Sequence, residues 1–133
     1  LIEVAKNISR SNGNIEYFAG DMKEKSFGNF DYIVAMDSLI HYSPEDVISS
    51  IAEFSKRANY SVLFTVIPST FALRTKLSLG KYFPKSERSP EVVPIEWGQL
   101  RQLEDLKINA CLEKIKRIKS FFYVSEVWEL ANK

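Results

Sequence analysis

Glycine is scarce in this sequence: five residues, at positions 13, 20, 28, 80 and 98, none of them forming a G-x-G pair. Within these 133 residues that excludes the glycine-rich turn by which a βαβ unit lets backbone amides approach a nucleotide. A single cysteine, Cys111, cannot close an internal disulfide and offers no thiolate cluster for zinc or iron–sulfur, which suits a reducing cytosol. It reads as a small buried hydrophobe. Charge of one sign is missing too: 18 basic against 17 acidic side chains leave a net charge of +1, so no broad field holds nucleic acid or an anionic membrane. No apolar run approaches the roughly 20 residues that span a bilayer, and no charged segment followed by a hydrophobic stretch opens the chain. Neither export nor a transmembrane segment is expected, and the chemistry points to a small-molecule partner in the cytoplasm.

What is present is the composition of a soluble globular domain, 45% hydrophobic and 26% charged, and the length allows one domain. Leu1, Ala5 and Ile8 stand at helical spacing, so the text is expected to begin inside a helix, as a fragment reads. Asn12 and Gly13 end that helix, and a strand is expected over Asn14–Phe18, stopped by Gly20-Asp21. Phe30 to Met36 is a mostly apolar run, expected to be a central strand buried on both faces and ending at Asp37. Ser43-Pro44-Glu45-Asp46 then opens a helix, with a serine cap, proline in the first turn and acids at the positive dipole end. Val47, Ile48, Ile51, Ala52 and Phe54 form its apolar stripe, and Tyr60–Ile67 is the next buried strand. Such short alternating units imply a parallel sheet with helices on its faces.

Beyond residue 67 the pattern continues with a helix over Phe71–Phe83, an exposed loop over Pro84–Pro94 and a helix over Glu96–Asp105. Ile108–Ile118 and Phe121–Leu130 are rich in Ile, Phe, Tyr, Val and Trp and should pair as an antiparallel hairpin across Lys119-Ser120. Alternation along the hairpin should send most of its basic run, Lys114, Lys116, Arg117 and Lys119, to solvent.

Two stretches are more specific. Ala35-Met36-Asp37-Ser38-Leu39-Ile40-His41-Tyr42 is similar to the D-x-L-I-H-Y signature of the magnesium-protoporphyrin IX O-methyltransferase family, and Leu79-Gly80-Lys81-Tyr82-Phe83-Pro84-Lys85-Ser86-Glu87-Arg88-Ser89-Pro90 resembles its purple-bacterial members. Phe122-Tyr123 also fits. The resemblance implies an α/β, Rossmann-like class I methyltransferase sheet in the order 3-2-1-4-5-7-6, here truncated, with strands 3 to 7 present, strands 1 and 2 missing, and a terminal antiparallel hairpin. Residues 1–67 would be the rest of the cofactor-binding half, and 68–133 the substrate-side helices and hairpin. It further implies S-adenosyl-L-methionine as cofactor, a magnesium porphyrin as substrate with magnesium present only in that substrate, the magnesium chelatase large subunit as a partner, and a placement at the periphery of a photosynthetic membrane. The fragment alone is expected to be inactive. Two alternatives stand beside this reading: a class I methyltransferase for a smaller substrate such as a quinone, and a non-catalytic domain that binds porphyrin or a partner.

Within that family reaction, His41 is the expected catalytic residue, since it is the sole histidine and follows the carboxyl end of the central strand, where open α/β sheets bind ligands. An ordinary loop histidine is the plainer alternative. Gly20, Asp21 and Met22 would bind the cofactor, Asp21 and Met22 at its adenine; Asp37 would orient the cofactor's amino-acid end, and Ser38 and Leu39 would line its pocket; a surface turn for Asp21 and a structural cap for Asp37 are the competing roles. Ile40 and Tyr42 would line the substrate pocket, and Lys85 and Arg88 would meet the second propionate beneath an apolar cover from Phe71 to Phe83, against the alternative of a core helix and a solvated loop.

Overall fold

A computed structural model describes residues 15–24, 27–69, 92–106, 110–119 and 124–132. Seven elements follow in chain order: β1 (Phe30–Ala35), α1 (Pro44–Arg57), β2 (Ala58–Val66), α2 (Trp97–Leu100), α3 (Gln102–Leu106), β3 (Ala110–Lys119) and β4 (Val124–Asn132). The strands form one sheet in the order β1-β2-β4-β3, with β1 parallel to β2 and both other pairings antiparallel. This is the expected 4-5-7-6 order, and the β2–β4 ladder joins the two halves of the chain in a single sheet.

Helix α1 forms where its local sequence asks for it. Ser43 is extended at φ −62°, ψ 154°, and its hydroxyl accepts from the Asp46 N–H at 3.1 Å, satisfying one of the amide donors that a helix start leaves unpaired. Pro44 fills the first turn, Glu45 and Asp46 face the positive end, and Lys56 and Arg57 the negative end. Val47, Ile48, Ile51 and Phe54 are buried, so the expected stripe covers the sheet. The far end is capped from the other end of the sequence: Asn132 Nδ2 donates to the Ser55 and Ala58 carbonyls at 3.1 and 2.6 Å, which ties the last strand to the helix terminus.

The core lies between α1, α2, α3 and one face of the sheet, around Ile51, Val62, Phe64, Leu100, Leu103, Trp128 and Leu130. The helix expected over Glu96–Asp105 is found as α2 and α3, separated only at Arg101. Its start carries a reciprocal capping box in which the Gln99 side chain accepts from the Glu96 N–H at 2.9 Å. Cys111 is free and half-buried, less enclosed than its small-hydrophobe reading implied.

Two expectations are corrected. Residues 15–19 form no strand, and Ile15 and Phe18 are exposed; an extended segment with no neighbouring strand has no ladder to satisfy its backbone, and none of the described strands lies beside it. The run Phe30–Ala35 is not a central strand buried on both faces. It is an edge strand paired only with β2 among the described residues, with Phe30, Tyr32 and Val34 exposed, Ile33 half-buried and Ala35 buried. Apolar composition makes a strand suitable for burial on two faces, but neighbours must be present to bury it. The expected opening helix, the helix over Phe71–Phe83 and most of the Pro84–Pro94 loop lie outside the described residues.

Candidate functional site at the carboxyl end of the sheet

Because β1 and β2 are parallel, Ala35 and Val66 finish at the same end of the sheet. The chain leaves β1 through Met36 and turns sharply at Asp37, whose φ of 53° lies in the left-handed region that a side chain with a Cβ rarely adopts. Thr65, on the neighbouring strand and 2% exposed, holds that turn. Its hydroxyl accepts from the Asp37 N–H at 2.7 Å and donates to Asp37 Oδ1 at 3.0 Å. Asp37 is therefore fixed through both its backbone and its carboxylate, which offsets the local conformational cost.

Beyond Asp37 the loop divides by exposure. Leu39 is 1% and Ile40 9% exposed, anchoring the loop in the core, while Ser38, His41 and Tyr42 are exposed. The Tyr42 N–H donates to the Leu39 carbonyl at 3.1 Å, closing the turn that presents His41. Leu39, Ile40, Tyr42, Val66, Ile67 and Ile95 meet around a narrow, mostly apolar depression with no room for a water molecule. Its far wall is stitched to β2 and to the loop: the Ile95 N–H donates to the Ile67 carbonyl at 2.9 Å, and the Val93 N–H to the Ile40 carbonyl at 2.8 Å.

The remaining candidates are placed less centrally. Asp21 is exposed and accepts from the Lys23 N–H at 2.9 Å, organising its own turn, and Met22 packs against the core. Arg57 anchors the neighbouring backbone by donating to the Glu24 and Gly28 carbonyls, both at 3.0 Å. The turn from Asp21 to Glu24, which follows Gly20, reaches the loop through Lys23, whose ammonium lies 5.9 Å from the Tyr42 ring centre. Lys85 and Arg88 lie outside the described residues. Among the described residues no group of three or more His, Cys, Asp and Glu side chains is arranged to hold a metal ion, and no helix is long and apolar enough to cross a membrane.

Sequence reasoning missed two contributors. Thr65 is one hydroxyl in an apolar strand, and its role exists only because β2 pairs with β1. The second is a cluster on the hairpin. Glu126, 5% exposed, lies directly across the ladder from Val66 at this same end of the sheet. Its Oε1 accepts from Arg117 Nε at 2.6 Å, with Arg117 Nη2 at 2.5 Å and Lys114 Nζ at 3.6 Å, while Oε2 accepts from Trp128 Nε1 at 3.2 Å. The basic run is exposed as expected, yet two of its four members are engaged. The cause is a bulge: Lys114 opposes Trp128, Lys116 opposes Val127 and Arg117 opposes Glu126, so Ile115 is extra and Arg117 rejoins the face of Lys114.

Comparison with known proteins places this geometry. Residues 35–132 match the family model described as magnesium-protoporphyrin IX methyltransferase C-terminus. A magnesium-protoporphyrin O-methyltransferase from Rhodobacter capsulatus is 39% identical over 131 residues, covering 97% of this chain and 57% of the relative. The chain thus spans little more than half the length of that relative. Among solved structures, magnesium protoporphyrin IX methyltransferase from Synechocystis PCC 6803 with bound SAH superposes with a TM-score of 0.78 at 18% identity, covering 98% of this chain and 57% of the other. An O-methyltransferase family 2 protein from Planctomyces limnophilus DSM 3776 in complex with apigenin gives 0.64 at 14%, covering 98% and 39%. These two likenesses concern the fold, which is the carboxyl-terminal part of a class I methyltransferase sheet.

Proposed function

The chain belongs to the magnesium-protoporphyrin IX methyltransferase C-terminal family, and from that membership we propose that it forms the carboxyl-terminal half of an S-adenosylmethionine-dependent enzyme that methylates one propionate of magnesium-protoporphyrin IX, with residues 1–67 on its cofactor side and 68–133 on its substrate side. The observation that carries this reading is the family match beginning at Ala35, which takes in the whole Asp37–Tyr42 loop at the ligand-binding end of the sheet.

S-adenosylmethionine, when bound, supplies a sulfonium methyl group that a carboxylate oxygen takes in one displacement, leaving the monomethyl ester and S-adenosylhomocysteine. The residues present fit part of such a cofactor. Asp37 holds a fixed carboxylate at the strand end, suited to an ammonium group, whereas no G-x-G cradle is available in this chain. A propionate titrates at about 4.3 in the manner of a glutamate side chain, so it is already ionised at neutral pH and needs no strong base. Orientation is then the main task of the protein, and in favourable cases it contributes about 7 to 11 kcal/mol. His41, exposed on a loop whose neighbours Leu39 and Ile40 are buried, donates a hydrogen bond that selects the attacking oxygen. Ile40 and Tyr42 exclude water along the depression. The same proposal includes delivery of this apolar substrate by the magnesium chelatase large subunit and work at the periphery of a photosynthetic membrane; co-purification with that subunit and flotation with vesicles are the corresponding measurements.

The chain alone is expected to bind S-adenosylmethionine weakly by calorimetry and to transfer no methyl group. Joined to the amino-terminal part of the Rhodobacter capsulatus relative, it should methylate magnesium-protoporphyrin IX. In that joined protein His41→Ala should slow turnover about 100-fold with cofactor affinity unchanged. A joined protein that binds porphyrin and cofactor without transfer would identify a binding domain instead; transfer to a quinone in preference to the porphyrin would identify the smaller-substrate class.

A further inference from the structure

The bulge at Ile115 does more than interrupt a ladder. Without it, alternation would put Arg117 on the opposite face from Lys114; with it, both cations converge on one buried carboxylate, Glu126. Two cations around one anion leave a net charge of +1, and their side chains are still 46% and 36% exposed for Lys114 and Arg117. Trp128, also hydrogen-bonded to Glu126, is buried, and it stacks at 4.8 Å on Trp97, which is 49% exposed. Lys114 lies 5.7 Å from the same Trp128 ring. One cluster thus offers an accessible indole and two accessible cations.

Its position gives it a use. Glu126 stands opposite Val66, and Trp97 follows Ile95 by two residues; Val66 and Ile95 both line the depression beside Ile40. The cluster therefore continues the same end of the sheet away from His41. We infer that Trp97, Lys114 and Arg117 form a second substrate subsite, in which the indole lies against a flat aromatic ring system and the two cations take up a carboxylate carried by it. Glu126 is the positioning residue that holds Arg117 and Lys114 in place. Arginine and lysine beside an aromatic platform recognise an anionic planar ligand by charge-assisted hydrogen bonds and stacking together. The choice of a porphyrin dicarboxylic acid as occupant rests on the function proposed above; one carboxylate would sit here while the other meets the His41 loop.

The test titrates the chain, without S-adenosylmethionine, with protoporphyrin IX and separately with its dimethyl ester, following tryptophan quenching and the porphyrin absorption band. The unaltered chain should prefer the acid by about tenfold, as expected of a charged hydrogen-bonding pair. Lys114→Gln should reduce that preference to about twofold and leave ester binding unchanged, Arg117→Lys should keep most of the preference, and Trp97→Leu should weaken acid and ester alike by about fivefold. Lys114 and Trp97 are about half exposed, so circular dichroism should find both variants folded. Equal binding, or no binding, of acid and ester by the unaltered chain overturns the inference, as does an undiminished preference in Lys114→Gln. The two readings fail separately: acid-selective binding without methyl transfer in the joined protein removes the reaction and keeps the subsite, whereas transfer with an unchanged KM for porphyrin in Lys114→Gln removes the subsite and keeps the reaction.

Discussion

Strands β1 and β2 are built from similar apolar sequence and end in opposite environments. β2 is paired on both edges and packed by α1, so Val62 and Phe64 are fully buried. Among the described residues β1 is paired on one edge, and Val34 is 62% exposed beside an exposed Tyr32 whose ring lies 5.3 Å from that of Tyr60. The difference shows that apolar character expresses a capacity for burial, while pairing and layering decide whether the capacity is used. It also divides the molecule by energetic weight: stability is concentrated at β2 and β4, whereas β1 contributes through the loop that it launches.

The strongest way to break this contrast is to truncate one side chain on each strand. Phe64→Ala should cost about 3 to 5 kcal/mol, because the neighbours of a fully enclosed ring relax only partly around the cavity. Val34→Ala should change stability by less than about 0.5 kcal/mol, since little area is removed from water there. Urea denaturation of both variants checks the pair, and comparable losses would mean that β1 carries core weight. Joining the chain to the amino-terminal part of its relative sharpens the test: a β1 that becomes covered should raise the cost of Val34→Ala to about 1 kcal/mol or more.

Thr65→Val tests the one place where the two strands cooperate in the site. It keeps the shape and removes the hydroxyl that accepts from the Asp37 N–H and donates to Asp37 Oδ1. The expected destabilisation is about 1 to 3 kcal/mol, since a partly buried amide loses its acceptor while Asp37 keeps its left-handed backbone. Thr65→Ser, which retains the hydroxyl, should recover most of it. A Thr65→Val variant as stable as the unaltered chain would remove the clamp.

How far the sequence foretold these features depends on their range. Helix α1 was legible to the residue because its cap, proline and charge placement lie within four positions, 43 to 46. Sheet order was legible through the resemblance, and the hairpin through its β-branched and aromatic content. The exposure of β1 was not, since burial belongs to neighbours and not to the strand. Nor was the segment after Asn14, whose strand character needs a ladder partner. The site was legible at Asp37 to Tyr42, a contiguous signature. It was illegible at Thr65, Trp97 and Glu126, because contacts spanning 28 residues from Asp37 to Thr65 and a one-residue bulge leave no local mark. Alternation sends most of the basic run to solvent, and a single extra residue brings Arg117 round to the face of Lys114, where Glu126 engages both.

The smallest expected effect has the opposite sign. Ser61, on β2 opposite Tyr32 and Ala131, is 2% exposed, and among the described residues its Oγ is a buried side-chain oxygen with no hydrogen-bond partner. A buried hydroxyl that has left water without gaining a partner costs free energy, and replacing it by a hydrogen atom on the same Cβ removes that cost while leaving only a small void. Ser61→Ala should therefore raise stability by about 0.5 to 1 kcal/mol, seen as a higher urea midpoint with an unchanged slope. A lower midpoint would mean that the hydroxyl is satisfied in solution. Should the gain disappear once the amino-terminal part is joined and β1 acquires a neighbour, Ser61 belongs to the incompletely covered β1 side of the sheet. A gain of the same size in both would place the serine with the β2 and β4 core, and the boundary between the two regions would then run between Tyr32 and Ser61, across a single rung of the ladder.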